Sequence, residues 1–324
     1  MKFRAVLAGI IAISTSLLGN APQAGAQSWP QRSVKIIVPL GPGSGVDIAS
    51  RLFADRLTAV WGRPVVVENR PGGDGFVGIT GFIGAHDDHT LLFTPTATFT
   101  AHPFQHEKLP YDARDLIPIA RVANTLVPIA VPTSLNVKSL KEFVELARTQ
   151  PGKLNWAGVT GALDFMFAAF LKAENLKIDK VPYRDNVQAL NDLAEARIQA
   201  YVAALAIVRP QVQAGKVHLI AMMNRERAPS APDVPTVREA GFPALEMDGL
   251  TGFFWSREMT DDVRKKISAD VSAVAKDPEI VAKLGLTGSL VRAGTPEEFA
   301  AAIAEQQARV AQAAASLDIK PAQN

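Results

Sequence analysis

Ser44 is the residue of this chain that comes nearest to a nucleophile in a chemical setting. It stands in Gly41-Pro42-Gly43-Ser44-Gly45-Val46-Asp47, where an apolar run ends and a helical pattern begins. A nucleophile elbow needs glycine two residues before and two residues after the serine, and those positions hold Pro42 and Val46. A dinucleotide fingerprint counted from Gly41 needs glycine where Val46 stands, and the Walker pattern GxxxxGK[ST] is absent. What the segment does offer is a tight turn opening into a helix N-terminus. Unpaired backbone N–H groups and the positive end of the helix dipole converge at such a place, and an anion is its natural guest.

Other reactive residue types lack a working arrangement. The histidines at 86, 89, 102, 106 and 218 stand in no triad context. His86, Asp87, Asp88 and His89 are of metal-ligand type, but neither HExxH nor DxDxDG is present, and "AHDDHT" (85–90) reads as a polar turn before a strand; no metal is expected. "ENRPGGDGFVG" (68–78) is a second glycine-rich turn, able to approach a ligand or simply to reverse the chain. Trp156 and Phe165 flank "AGVTGALD" (157–164), in which Asp164 is the one acid; aromatics there suit a core or a cleft wall.

The elements that must position these residues alternate between strand and helix. Strands are expected at 34–40, 64–69, 90–94, 126–132, 153–158, 177–183, 198–203 and 217–223, with helical spacing between most of them, which is an α/β pattern. Ile48, Leu52, Phe53, Leu57 and Val60 form the apolar face of the helix after Gly45. Ser139 with Glu142, and Thr295 with Pro296 and Glu298, read as capping boxes. From Asp261 onward the chain is mainly helical, and "PSAPDVP" (229–235) is a proline-rich turn.

Composition bounds the rest. The chain has 324 residues, 48% of them hydrophobic and 20% charged, enough for one large or two medium domains with a real core. A net charge of +2 with scattered basic residues argues against nucleic acid or an anionic membrane as partner. The absence of cysteine excludes disulfides, thiol catalysis and a lipid-modified cysteine. Lys2 and Arg4, the apolar run "AVLAGIIAISTSLLG" and Ala24-Gly25-Ala26 read as a secretory signal over residues 1–26, cleaved after Ala26. The run is shorter than the roughly 20 apolar residues needed to span a bilayer, so a free, exported chain is expected.

Taken in order, "SVKIIVPLGPGSGVDIASRLFADRL", "GRPVVVENRPGGDGFVG", "TLLFTPT", "KLPYD", "SLKEFVELARTQPGKLNWA", "VPYRD", "QAGKVHLIAM" and "PDVPTVREAGFP" resemble the signature segments of the tripartite tricarboxylate transporter substrate-binding proteins, the Bug family of periplasmic receptors. The resemblance runs from about Trp29 to about Phe299. It implies a two-lobed type II periplasmic binding protein fold of α/β class, a Venus flytrap with crossing strands as its hinge. Residues 27–127 plus 251–324 would form one lobe and 128–250 the other. It also implies no catalysis, no cofactor, a monomer, a small organic carboxylate as ligand and membrane permease subunits as partners.

Carried over position by position, the resemblance places the first ligand loop on Pro42, Gly43, Ser44, Gly45 and Asp47, with Asp47 also suited to capping the helix. The hydroxyl-rich end of the third strand becomes Thr94, Thr96 and Thr98. The loop across the cleft becomes Val159, Thr160 and Gly161, with Asp164 near a position where the family has histidine. An acid there would repel a dianion unless protonated, hydrated or paired, or would accept a hydrogen bond from the ligand. Near "VPYRD", Tyr183 and Asp185 fall at the ligand, and Ala203 replaces an aspartate that can receive an amino group. These departures make transfer of an amino-acid ligand unsafe; a carboxylate, aromatic or hydroxylated in view of Trp156 and Phe165, is the working expectation. A ligand-sensing subunit of a signalling system needs the same cleft and hinge, and a hydrolase is the reading of another class, with neither elbow, triad nor metal pattern behind it.

Overall fold

The computed structural model describes residues 29–322 except 160, 184, 256 and 258. Its two sheets arise from strands with opposite neighbours in sequence. β1 (Val34–Val38), β2 (Val65–Asn69), β3 (Thr90–Pro95) and β4 (Ile117–Thr125) join β10 (Gly249–Trp255) and β11 (Ser289–Gly294) in the order β11-β4-β10-β3-β1-β2. Between these two groups, β5 (Pro128–Pro132), β6 (Leu154–Gly158), β7 (Ile178–Lys180), β8 (Ala200–Val202) and β9 (Val217–Met222) form a second sheet, ordered β7-β6-β8-β5-β9.

The sheets share one plan. β1 runs parallel to β2 and β3, and β6 parallel to β7 and β8. In each, one antiparallel strand is wedged beside the third: β10 between β3 and β4, and β5 between β8 and β9. Those wedged strands follow the places where the chain crosses between sheets, at Leu126-Val127 and over 223–248. The molecule is therefore two-lobed, joined by these crossings.

Helices alternate with the strands because the connections between parallel neighbours must return over the sheet. In the first lobe these are α1 (Gly45–Trp61), α2 (Phe76–Ile83) and α3 (Thr96–Gln105). In the second they are α4 (Leu140–Thr149), α5 (Ala162–Ala173), α6 (Asn186–Ala194) and α7 (Leu205–Gln213). α8 (Asp261–Ala275), α9 (Pro278–Leu286) and α10 (Pro296–Ser316) follow the return. α1 buries Phe53 and Leu57 against β1 and β3, and it stops where Gly62 takes the left-handed conformation, φ 62°. α10 starts with the full capping box on Thr295 and Glu298. At α4 the box is only half made: Ser139 Oγ accepts the Glu142 N–H, but the Glu142 carboxylate turns to the N–H of Lys138 at 2.9 Å.

α10 belongs to both cores. Phe299 and Ile303 pack with Ile37, Leu92 and Phe254 of the first sheet, while Val310, Ala313 and Ala314 pack with residues such as Ile129 and Phe167 of the second lobe.

All eight expected strands exist, seven of them trimmed and β3 one residue longer, to Pro95, and β4, β10 and β11 come in addition. β10 is masked in the sequence by Gly249 and Gly252. Packing explains the second glycine, since a Cβ there would lie 2.4 Å from the Ala120 carbonyl and 2.6 Å from the Phe299 ring. The strand is central and must let a helix approach closely.

Candidate functional site

Between the lobes lies a cavity of about 460 Å³, the size of a small-molecule site. Its walls are helix beginnings. α1 brings Gly43, Ser44, Gly45 and Val46, and α3 brings Ala97 and Thr98. From across the cleft come Leu163 of α5, Asn186 of α6, and Ala204, Ala206 and Ile207 of α7. Thr125, Thr251, Thr287 and Ser289 add hydroxyls from the first lobe. Leu40, Phe93, Val127, Val159 and Met247 add apolar surface.

Five helix N-termini thus face one space. In α1 the Ser44 hydroxyl accepts the Asp47 N–H at 3.2 Å, and the N–H groups of Gly45 and Val46, in the first turn, have no carbonyl partner within the helix. Each terminus carries roughly half a positive charge. Among the described lining residues there is no lysine, arginine or histidine, and Asp248 is the only charged one. An anion would be held by fixed dipoles and hydroxyls.

A smaller cavity of about 260 Å³ adjoins, sharing Leu40, Thr98 and Val159 with the first. The glycine-rich turn at 68–78 reaches the cleft here through Gly72, Asp74 and Gly75. His102 pins that turn. Its Nε2 lies 3.0 Å from the Asp74 carbonyl, which can only accept, so Nδ1 receives the Tyr111 hydroxyl at 2.7 Å. Burial brings the His102 pKa down to about 4, and the ring is a neutral strut.

Of the residues placed at the ligand by resemblance, Gly43, Ser44, Gly45, Thr98 and Val159 line the larger cavity, and Gly161 lines the smaller with Val159 and Thr98. Pro42 is exposed and outside both. The Asp47 carboxylate turns inward, accepting the Gly43 N–H at 2.9 Å, Asn69 Nδ2 at 2.9 Å and Arg51 Nε at 3.1 Å. Burial opposes its charge, yet these donors, Arg51 foremost, hold its pKa below the usual carboxylate value. Asp47 builds the loop and does not line the cavity.

The buried Thr94 hydroxyl faces the Pro95 carbonyl at 3.3 Å, and the Thr96 hydroxyl donates to Gln306 Oε1 at 2.6 Å. Thr160 lies outside the described residues. Asp164 is buried behind Gly158 and ion-paired with Lys180, so the repulsion expected of an unpaired acid is answered by a cation the loop itself does not contain. Tyr183 gives its hydroxyl to Asp192 at 2.8 Å, and burial, with that carboxylate, pushes its pKa up to about 12. Asp185 caps α6 by accepting the Val187 N–H at 2.8 Å. Ala203 is fully buried, one residue short of the wall. Trp156 and Phe165 are core residues and give no aromatic surface to the cavity.

Sequence reading did not single out Asp248, Asn186 or the hydroxyl set Thr125, Thr251, Thr287 and Ser289. They come from crossings and turns remote from one another in the chain, and only the topology gathers them.

Two lobes of the same topology with a ligand-sized cavity ringed by helix N-termini define a binding protein of the periplasmic type. Residues 49–318 match the model of the tripartite tricarboxylate transporter family receptor, and the chain belongs to that family. It is a family of solute receptors, not of enzymes. Among solved structures, one described as a periplasmic transporter is 32% identical with a TM-score of 0.79, over 90% of this chain and 99% of the other. A Rhodopseudomonas palustris protein with adipate is 25% identical with a TM-score of 0.80, over 90% of this chain and 99% of its own. MatC of the same organism, with bound malate, is 25% identical with a TM-score of 0.73, over 88% and 99%. No helix among the described residues is long and apolar enough to cross a membrane.

Proposed function

We propose that this protein captures a small organic carboxylate between its lobes and delivers it, in the periplasm, to the membrane permease of a tripartite tricarboxylate-type transporter. The single observation carrying this reading is the convergence of five helix N-termini, two from one lobe and three from the other, on a cavity whose described lining residues include no basic side chain. Backbone N–H groups and hydroxyls bind a carboxylate by charge-assisted hydrogen bonds without a full positive charge. Adipate and malate in structural relatives support the same ligand class.

In this reading residues 1–26 direct export and are removed, residues 27–127 and 251–324 form one lobe, and 128–250 the other. Ligand bound by both lobes favours the closed form, because only differential affinity shifts an equilibrium between conformations. The test is thermal melting of the exported protein against mono-, di- and tricarboxylates and aromatic acids. A ligand at a hundred times its dissociation constant stabilises by about 2.7 kcal/mol, a shift of a few degrees. Shifts confined to acids support the reading, and silence across the panel overturns it. Uptake of the identified acid by cells carrying or lacking the permease tests delivery.

A further inference from the structure

Asp248, the one charged residue among the described residues of the cavity wall, differs from Asp47 and Glu246 in how little holds its carboxylate. Asp47 is closed off by Arg51, Asn69 and Gly43, and Glu246 by Arg238 at 2.6 and 3.0 Å with Arg225 and Arg309 beyond. Among the described residues Asp248 Oδ1 has only long contacts, 3.3 Å to the Arg225 N–H and 3.5 Å to Asn224 Nδ2, and Oδ2 lies 4.0 Å from Arg225 Nε. A carboxylate offers about four lone-pair sites, so acceptor capacity remains. The backbone beneath it is fixed, since Gln306 Nε2 donates to the Asp248 carbonyl at 3.0 Å.

The arginines near Asp248 lie on its other side, in a separate small pocket, and are engaged there. Arg225 pairs with Glu305, and Arg121 donates to the Arg292 carbonyl at 3.0 Å. None of them lines the larger cavity. That cavity therefore has two polar characters: donors at the helix N-termini, and an acceptor at Asp248. Apolar surface from Phe93, Val127, Ile207 and Met247 completes the wall.

We propose that Asp248 is the specificity-determining residue of this cavity, selecting a monocarboxylic acid with an apolar body and a hydrogen-bond donor, hydroxyl or ammonium, away from its carboxylate. The proposal rests on the carboxylate reading above and narrows it. A second carboxylate facing Asp248 would meet a like charge, with no cation among the described lining residues to stand between them. A plain alkyl end would desolvate Asp248 without giving it a partner, and a site built to accept a hydrogen bond rejects the analogue that lacks the donor. A donor satisfies it.

The experiment is titration calorimetry of the exported protein with two matched probe series. One is hexanoate, 6-hydroxyhexanoate, 6-aminohexanoate and adipate; the other is benzoate, 4-hydroxybenzoate, 4-(aminomethyl)benzoate and terephthalate. In at least one series the hydroxy or amino acid is expected to bind at least tenfold more tightly than the diacid. In Asp248→Asn that margin should shrink at least tenfold, mainly through a gain by the diacid. A wild-type preference for the diacid, or the same margin in Asp248→Asn, overturns the assignment to Asp248 and leaves the carboxylate reading standing. No heat from any acid overturns both. Should Asp248→Asn melt early, Asp248→Ser is used, with the same ranking as readout.

Discussion

Lys180 Nζ stands 2.6 Å from Asp164 Oδ2, and the ammonium lies 5.6 Å above the ring of Trp156. The pair is asymmetric, with a side chain 42% exposed on lysine and 11% on aspartate. Burial raises the Asp164 pKa above its ordinary value, and the hydrogen bond and charge of Lys180 pull against that rise. A raised carboxyl pKa makes its contribution to stability greatest below the unfolded value and diminishes it as pH rises through the folded one. Lys180→Ala should therefore lower the melting temperature more at pH 7 than at pH 4. The neutral-pH loss is about 1–2 kcal/mol, less than for a fully buried pair because water screens the lysine. Adding Asp164→Asn should restore most of it. Equal losses at both pH values would mean that the pair carries no charge-dependent stability.

Glu246, only 4% exposed, behaves with the opposite sign. The Arg238 hydrogen bond, opposed by burial, holds its pKa below the usual glutamate value. The stabilisation it gives is present above that ordinary value and is lost as pH falls through the depressed one. Glu246→Gln should cost about 2–4 kcal/mol at pH 7, and melting curves of the two proteins should converge as pH drops below about 4.

Gln306 joins three elements through one amide. Its oxygen accepts from Thr96 at 2.6 Å and Thr100 at 3.2 Å, while its nitrogen donates to Asp248. Gln306→Ala strands buried polar groups and should destabilise by about 2–4 kcal/mol in denaturant titration. Thr96→Ala should likewise reduce stability with little change in affinity for whichever acid the melting panel identifies, since the Thr96 hydroxyl points to α10. A large affinity loss without destabilisation would return Thr96 to the ligand.

Gly45→Val addresses the cradle itself. A Cβ at Gly45 meets nothing closer than the Thr287 carbonyl at 3.6 Å, an ordinary contact, so the fold accommodates it. The branched side chain then stands before the first N–H groups of α1. Affinity for the same acid should fall at least tenfold, about 1.4 kcal/mol or more, with melting within a degree or two of wild type. Retained affinity would place the anion at another terminus.

Arg209, on α7, donates to the carbonyls of Leu286 and Gly285 at the C-terminal end of α9, across the cleft. A cation at a helix C-terminus is a favourable contact, here made between lobes. Arg209→Ala should weaken binding by about 1 kcal/mol, roughly fivefold, and enlarge the radius of gyration of the ligand-free protein in solution scattering. An unchanged radius and affinity would show that the contact does not bias closure.

The strands that sequence revealed are those whose apolar residues run without interruption, such as "VKIIV", because strands buried on both faces need nothing else. β4 was hidden by Pro118, Arg121 and Asn124, and β10 by its glycines, whose reason is a neighbour's approach. At the cleft, the glycine-rich start of α1 could be read locally because a turn and a helix N-terminus are local objects. The state of Asp164 could not. Its partner is fixed by the parallel pairing of β6 and β7, which sets Lys180 opposite Trp156, and no spacing rule announces that register. Asp248 escaped for a similar reason, being brought to the wall by a chain crossing.

α10 adds a mechanical consequence. Two strand crossings alone would leave the lobes free to twist as well as to bend. A single helix of 21 residues, seated in one core at Phe299 and in the other at Val310, is about 30 Å long and stiff along that length. It acts as a third tie that resists torsion and leaves rocking as the soft coordinate. The two sets of helix N-termini would then meet the same way at every closure, and the lobes could keep their aim without rigid walls around the ligand.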